Sequence, residues 1–181
     1  NGSGKTTFAG LCFGDLKPNY GSINLNLNGN KNIKIGYLDQ FPEHLIQLKT
    51  INEFYKKLLD NNVFDISFEN TFKKRLASIG VKWDYVKDKR GIDLPWAMLR
   101  MLLIVLLSHC KYKILILDEP TFGLGWKQRV KLRSFIKGFM TRMHFIIISH
   151  DLKFVDSICD QVIYFHNQNI EHSFVRKKED A

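Results

Sequence analysis

The sequence predicts an α/β domain with a mainly parallel core sheet and an inserted block of helices, and three observations carry this. Short apolar runs with strand character alternate with helical segments along most of the chain. A glycine-rich turn, Asn1-Gly2-Ser3-Gly4-Lys5-Thr6-Thr7, opens directly into a helical stretch. Between residues 42 and 95 strand-like patterning gives way to helical spacing, then returns.

Taken in order, Lys5 to about Gly14 reads as the first helix, and Pro18-Asn19-Tyr20-Gly21 as a turn. Ser22 to Gly29 alternates polar and apolar residues strictly, the pattern of a half-buried strand, and Ile33 to Leu38 is a second strand. Ile51, Phe54, Tyr55 and Leu58 recur at helical spacing. Ser67 to Ile79 does the same, with Gly80 as its terminator. A helix over Trp96–Ser108 follows, apolar from Trp96 to Leu107 except for Arg100. Lys113-Ile114-Leu115-Ile116-Leu117-Asp118 has the continuous apolar character of a central parallel strand. A helix over Trp126–Met140, a strand over Phe145–Ser149, a short helix from Asp151 and strands over Gln161–Phe165 and Asn169–Phe174 complete the chain. The expected organisation is one domain, 1–181, with a helical subdomain, 42–95, inserted in a core of 1–41 plus 96–181.

The 181 residues are enough for one sizeable core, and 45% hydrophobic with 25% charged residues is an ordinary globular balance. The net charge of +9 is compatible with phosphate ligands, nucleic acid or an anionic surface, but the lysines are scattered rather than gathered into a binding run. Cys12, Cys110 and Cys159 are odd in number and lack CxxC spacing, which argues against a disulfide framework or a zinc site. The apolar run from Trp96 to Cys110 is too short to span a bilayer.

The chemistry concentrates in four places. In the turn over residues 1–7, Gly2 and Gly4 let backbone N–H groups approach phosphate oxygens, Lys5 reaches the outer phosphates, and Thr6 offers a hydroxyl to Mg²⁺. The expected ligand is ATP or a close relative. The full motif has residues before Asn1, so the chain is expected to be truncated at its N-terminus. Asp118 and Glu119 end an apolar strand, which suits a Mg²⁺ carboxylate followed by a base for the attacking water. His150 ends another apolar strand, after Phe145-Ile146-Ile147-Ile148-Ser149, where it can reach a terminal phosphate. Gln40 follows the strand over Ile33–Leu38 and is placed to contact Mg²⁺ or water. Taken singly, a histidine or glutamine at a strand end is more often structural.

The order of loop, glutamine, acidic strand and histidine resembles the nucleotide-binding domain of ATP-binding cassette (ABC) proteins, P-loop NTPases, over nearly the whole chain. The resemblance makes Asn1 to Thr7 the Walker A loop, Gln40 the Q-loop, Asp118 and Glu119 the Walker B acid and catalytic glutamate, and His150 the switch histidine. A finer similarity, to the energy-coupling-factor importers, lies in Gln40-Phe41-Pro42-Glu43, Thr50-Ile51-Asn52-Glu53, and the stretch from Glu119 to Leu124 with Gln128-Arg129. It implies an ATPase with ATP and Mg²⁺ as cofactors, peripheral on the cytoplasmic face of a membrane. Its partners would be transmembrane transporter subunits and a second ABC ATPase subunit, with no direct contact to nucleic acid. Two departures stand out. Where the family has Leu-Ser-Gly-Gly-Gln the chain reads Leu94-Pro95-Trp96-Ala97-Met98, and where it has Gly-Leu-Asp the chain reads Gly123-Leu124-Gly125. In the family the first caps the nucleotide of the opposite subunit and the second couples the two sites across the dimer, so a heterodimer with an intact partner is expected. The rival explanations are relaxed selection on a nearly dead ATPase or a subfamily that couples differently. The alternatives are a soluble ABC protein acting on the ribosome or nucleic acid, and a regulatory nucleotide binder with little turnover.

Overall fold

The computed structural model describes residues 4–27, 29, 33–46, 48–166 and 169–175. Its elements in chain order are α1 (Lys5–Phe13), β1 (Ile35–Leu38), α2 (Glu43–Ile46), α3 (Ile51–Asp60), α4 (Glu69–Ser78), α5 (Trp83–Val86), α6 (Trp96–Ser108), β2 (Ile114–Asp118), α7 (Trp126–Phe139), β3 (His144–Ile148), α8 (Leu152–Ile158), β4 (Gln161–His166) and β5 (Asn169–Val175), with 3₁₀ turns at Ile66–Phe68 and Gly91–Asp93.

The sheet β1-β2-β3 is parallel, with β2 in the middle. All five residues of β2 are buried, as its unbroken apolar run requires. Side chains alternate between faces along a strand, and the packing follows that parity. Ile114 and Ile116 of β2, with Ile35, Tyr37 and Ile146 from its neighbours, pack on Ala9 and Cys12 of α1. Leu115 and Leu117, with Leu38, Phe145 and Ile147, face the larger cluster built on α6. From Leu99 to Ser108 every residue of α6 is buried, so this helix is enclosed on all sides.

Segment 43–93 holds helices and turns but no strand among the described residues, with isolated bridges from Thr50 to Arg90 and from Phe64 to Cys110. Its buried residues Ile51, Phe54, Tyr55 and Leu58 lie on one face of α3, as their spacing predicts. Thr50 and Glu53 cap that helix reciprocally: the Glu53 N–H donates to Thr50 Oγ1 at 3.2 Å, and the Thr50 N–H donates to Glu53 Oε2 at 2.7 Å. An aromatic nucleus of Tyr55, Phe64, Phe72 and Trp83, with ring centroids 5.0–5.8 Å apart, joins these helices to His109 at the end of α6. The apolar cluster runs without a break from α3 and α4 through α6 to the sheet.

One expectation about strands is corrected. The alternating stretch Ser22–Gly29 is not a strand: residues 22–26 have no regular structure and only Leu27 makes a strand-like bridge, Asn28 lying outside the described residues. Local polar bonds compete with a ladder here. Asn24 donates to Ser22 Oγ, and Asn26 Oδ1 accepts from the Gly29 N–H at 2.8 Å. The alternation instead seats Leu25 and Leu27 against the α1 cluster. The last two strands, found where expected, do not extend the parallel sheet but pair with each other as an antiparallel hairpin.

His109 is 1% exposed. Its Nδ1 lies 2.7 Å from the Val105 carbonyl and its Nε2 faces Arg75. Burial first, then Arg75 and Arg142, push its pKa down to about 4, against the backbone bond that works the other way. The unfolded chain therefore binds a proton here more tightly than the fold does. The contribution is fully present above about 6.5 and is lost as pH falls towards 4, on the order of 3 kcal/mol in all. Chemical denaturation at pH 7 and pH 4.5 should show His109→Phe losing less stability on acidification than the wild type; equal losses would contradict this account.

Candidate active site

The carboxyl ends of the three parallel strands lie side by side, Leu38 paired with Leu117 and Asp118 with Ile148. The residues that leave them, Gln40, Glu119 and His150, therefore start from one edge, the edge at which open α/β sheets bind ligands. Asp118 shares parity with Ile114 and Ile116, which turns its side chain to the α1 face. There the Thr6 hydroxyl donates to Asp118 Oδ2 at 3.0 Å, and the Tyr37 hydroxyl donates to the same oxygen at 3.4 Å. Residues 6 and 118 of the sequence thus meet in one bond.

Helix α1 begins after Gly4, whose φ of 95° lies in the left-handed region. Glycine alone adopts this without strain, and a left-handed residue next to helical ones converges successive N–H groups into an anion-binding concavity. The N-cap Gly4 makes no side-chain cap bond, so it leaves the first amides of the helix available to a ligand. Asn1, Gly2 and Ser3 lie outside the described residues. Gly4, Lys5, Thr6 and Thr7 are all at the start of α1, the last two exposed.

Glu119 also has a positive φ, 49°, which costs a non-glycine residue about 1–3 kcal/mol unless its surroundings hold it. They do. Its N–H donates to the Ile148 carbonyl at 2.8 Å, and its carbonyl accepts from the Phe122 N–H at 3.0 Å. Its carboxylate accepts from the His150 N–H at 3.0 Å and from Ser149 Oγ at 3.3 Å, with His150 Nε2 3.8 Å from Oε1. The turn redirects the carboxylate from the strand's own course towards the β3 exit loop, so that Glu119 and His150 come together.

Sequence reasoning missed Arg100 as a site residue. It stands out only as the interruption of an apolar run, although a buried cation inside such a helix is itself a signal. Arg100 is 1% exposed, and its guanidinium donates to the backbone carbonyls of both Gln40 and Glu119. Gln40 thus enters the site through its backbone. Arg129 acts in a comparable way at the next loop, donating to the Leu124 carbonyl at 3.0 Å and to Asp151 Oδ2 at 2.8 Å. Over 94–98, Leu94 is buried, and the Pro95 carbonyl accepts from the Met98 and Leu99 amides. The Trp96 ring stands 5.8 Å from Phe41 and 5.7 Å from Phe122. The start of α6 thus places the Trp96 ring between those of Phe41 and Phe122.

A hydroxyl and one carboxylate are a donor set suited to Mg²⁺, which takes one or two protein oxygens and fills its octahedron with water and phosphate. The described residues hold no cluster of three or more His, Cys, Asp or Glu side chains that could cage a metal alone, so Thr6 and Asp118 fit an ion shared with a ligand. Burial raises the Asp118 pKa, the Thr6 and Tyr37 bonds lower it, Asp39 raises it and Lys5 lowers it, with a net rise. The fold therefore holds this proton more tightly than the unfolded chain. The resulting penalty on folding is present above the folded pKa and fades as pH falls towards the ordinary value near ~3.9. In EDTA, Asp118→Asn should melt at a higher temperature than the wild type at pH 7, the gap closing towards pH 4; a lower melting temperature at pH 7 would refute this.

The model of the ABC transporter family matches residues 1–122. The energy-coupling factor transporter ATP-binding protein EcfA2 of Clostridium perfringens is 31% identical over 93% of this chain, and the chain spans 64% of that relative's length. Among solved structures, an ATP binding subunit of an ABC transporter superposes with a TM-score of 0.81 at 18% identity, over 97% of this chain and 75% of that one. The dimeric cassette MJ0796 gives 0.78 at 18% identity, over 97% and 82%. Those two show the fold, and it is the fold built here from strand parity and helix packing. The chain belongs to the ABC transporter family.

Proposed function

We propose that this chain is the ATP-binding and ATP-hydrolysing subunit of an ABC-type membrane transporter, of the energy-coupling-factor importer kind. The observation that carries it is the Thr6–Asp118 hydrogen bond at 3.0 Å, which joins the start of the glycine-loop helix to the acidic end of the central strand. Asn1, Gly2, Ser3, Gly4, Lys5, Thr6 and Thr7 form the phosphate cradle, with Lys5 carrying charge to the outer phosphates. Thr6, Asp118 and Gln40 hold the side on which Mg²⁺ sits; when bound, that ion neutralises charge on the phosphate oxygens.

Glu119 takes the proton of the attacking water. Its carboxylate is oriented by the His150 and Ser149 donors, and general-base catalysis of this kind contributes about 10²–10⁴-fold. His150, exposed beside it, donates to the terminal phosphate. Similarity to EcfA2, a transporter ATP-binding protein, supports the transport setting. No helix among the described residues is long and apolar enough to cross a membrane, and on this reading transmembrane partner subunits supply the membrane attachment. The helical subdomain, 42–95, is the region that docks on them, and the protein works peripherally on the cytoplasmic face. A second cassette completes the site. The aromatic surface at Trp96 and the missing N–H of Pro95 favour a heterodimer, in which the partner supplies an intact loop to the nucleotide held here.

The test is ATP turnover by the intact protein with its partner subunits, wild type against Glu119→Gln. The variant should lose about 10²-fold or more in kcat while binding ATP within a fewfold of wild type. A wild type no faster than the variant would overturn the ATPase reading.

A further inference from the structure

We propose that Arg100 is a positioning residue that ties the backbone of Glu119 to the backbone of Gln40, so that the catalytic carboxylate follows the position of the helical segment 43–93. The inference rests on the reading of Glu119 as the base. It goes beyond that reading by assigning the device through which the helices control it.

Arg100 lies one turn into α6, the helix by which the chain returns from segment 43–93 to the sheet. Gln40 lies at the other root, where the chain leaves β1 for that segment. One guanidinium nitrogen donates to the Gln40 carbonyl and the other to the Glu119 carbonyl. The planar fork of arginine serves two acceptors at once, which a lysine ammonium on a single stem does less well. The Trp96 and Phe122 rings flank the guanidinium, with its carbon 5.3 and 5.7 Å from their centroids. At 1% exposure water does not compete for these donors.

The second acceptor gives the tie its consequence. Glu119 holds a left-handed conformation that persists only while its neighbours fix it. Arg100 is the neighbour that reaches Glu119 from α6 and is held at its other donor by Gln40, the root of segment 43–93. A displacement of that root, passed on through Arg100, pulls on the Glu119 carbonyl, and that residue's carboxylate is the group bonded to Ser149 and His150.

The experiment compares Arg100→Met and Arg100→Lys with the wild type in the intact protein, reading kcat, KM for ATP, and hydrogen exchange at individual amides. Arg100→Met keeps the stem and loses both donors. It should lower kcat by about 100-fold, the cost of a small misplacement of a reacting group, with KM changed less than about threefold. The Glu119 and Phe122 amides should exchange faster while those of β3 and α3 do not. Arg100→Lys should fall between the two. A folded Arg100→Met that keeps kcat within about twofold of wild type, or unchanged exchange at Glu119 and Phe122, overturns the proposal. If Arg100→Met does not fold, Arg100→Lys decides by the same readings, and wild-type kcat and exchange overturn it. If wild type is no faster than Glu119→Gln, the ATPase reading fails by itself, and the exchange at Glu119 and Phe122 still judges the tie.

Discussion

The geometry of the site depends on the burial of β2 between two parallel neighbours. A strand enclosed on both faces has no freedom of register, because a slip of one residue would turn every side chain to the wrong layer. The pairings Leu38 with Leu117 and Asp118 with Ile148 therefore fix three chain exits along one edge. Parity then sends Asp118 towards α1, where Thr6 waits, and leaves Glu119 to be redirected by its own left-handed turn. The same alternation that sorts the leucines of β2 from its isoleucines into two clusters also turns the Asp118 carboxylate to the α1 face, apart from that of Glu119.

Electrostatics sets a second constraint. Asp39, Glu43, Asp118 and Glu119 all act on Arg100, one buried cation among four carboxylates. Desolvation lowers its hold on the proton and these acids raise it, the burial effect being the larger. Removing a lone member of such a group is costly, because the remaining charges are left without compensation. On the outer side the positive end of α1 and Lys5 face Asp118. The site is thus acidic at its base and electropositive at its mouth, an arrangement suited to a polyphosphate carrying its own cation.

Much of this was legible in the sequence, for physical reasons that can be named. Strand β2 announces itself by an unbroken apolar run, α6 by one that Arg100 interrupts, α3 by the spacing of its apolar residues, and the start of α1 by Gly4 with Lys-Thr-Thr. What escaped was what depends on partners. Ser22–Gly29 alternates like a strand, yet alternation reports only a half-buried side, and the local bonds of Asn24 and Asn26 take the place of a ladder. Tyr37 and Ser149 gain their roles from strand register and from a turn at Glu119, neither of which is written in their neighbours. Arg100 was visible as an anomaly. Its meaning needed the distant carbonyl of Gln40, sixty residues away in the chain.

The central claim is that the start of α1 and the end of β2 form one Mg²⁺–nucleotide site. Equilibrium titration of ATP into the intact protein, with Mg²⁺ and with EDTA, tests it most directly when wild type is compared with Lys5→Ala and Asp118→Asn. Lys5→Ala should weaken binding about tenfold or more under both conditions, through loss of charge-assisted bonds to phosphate. Asp118→Asn should remove most of the advantage that Mg²⁺ gives the wild type. Both variants binding ATP as the wild type does, with the same response to Mg²⁺, would contradict the claim.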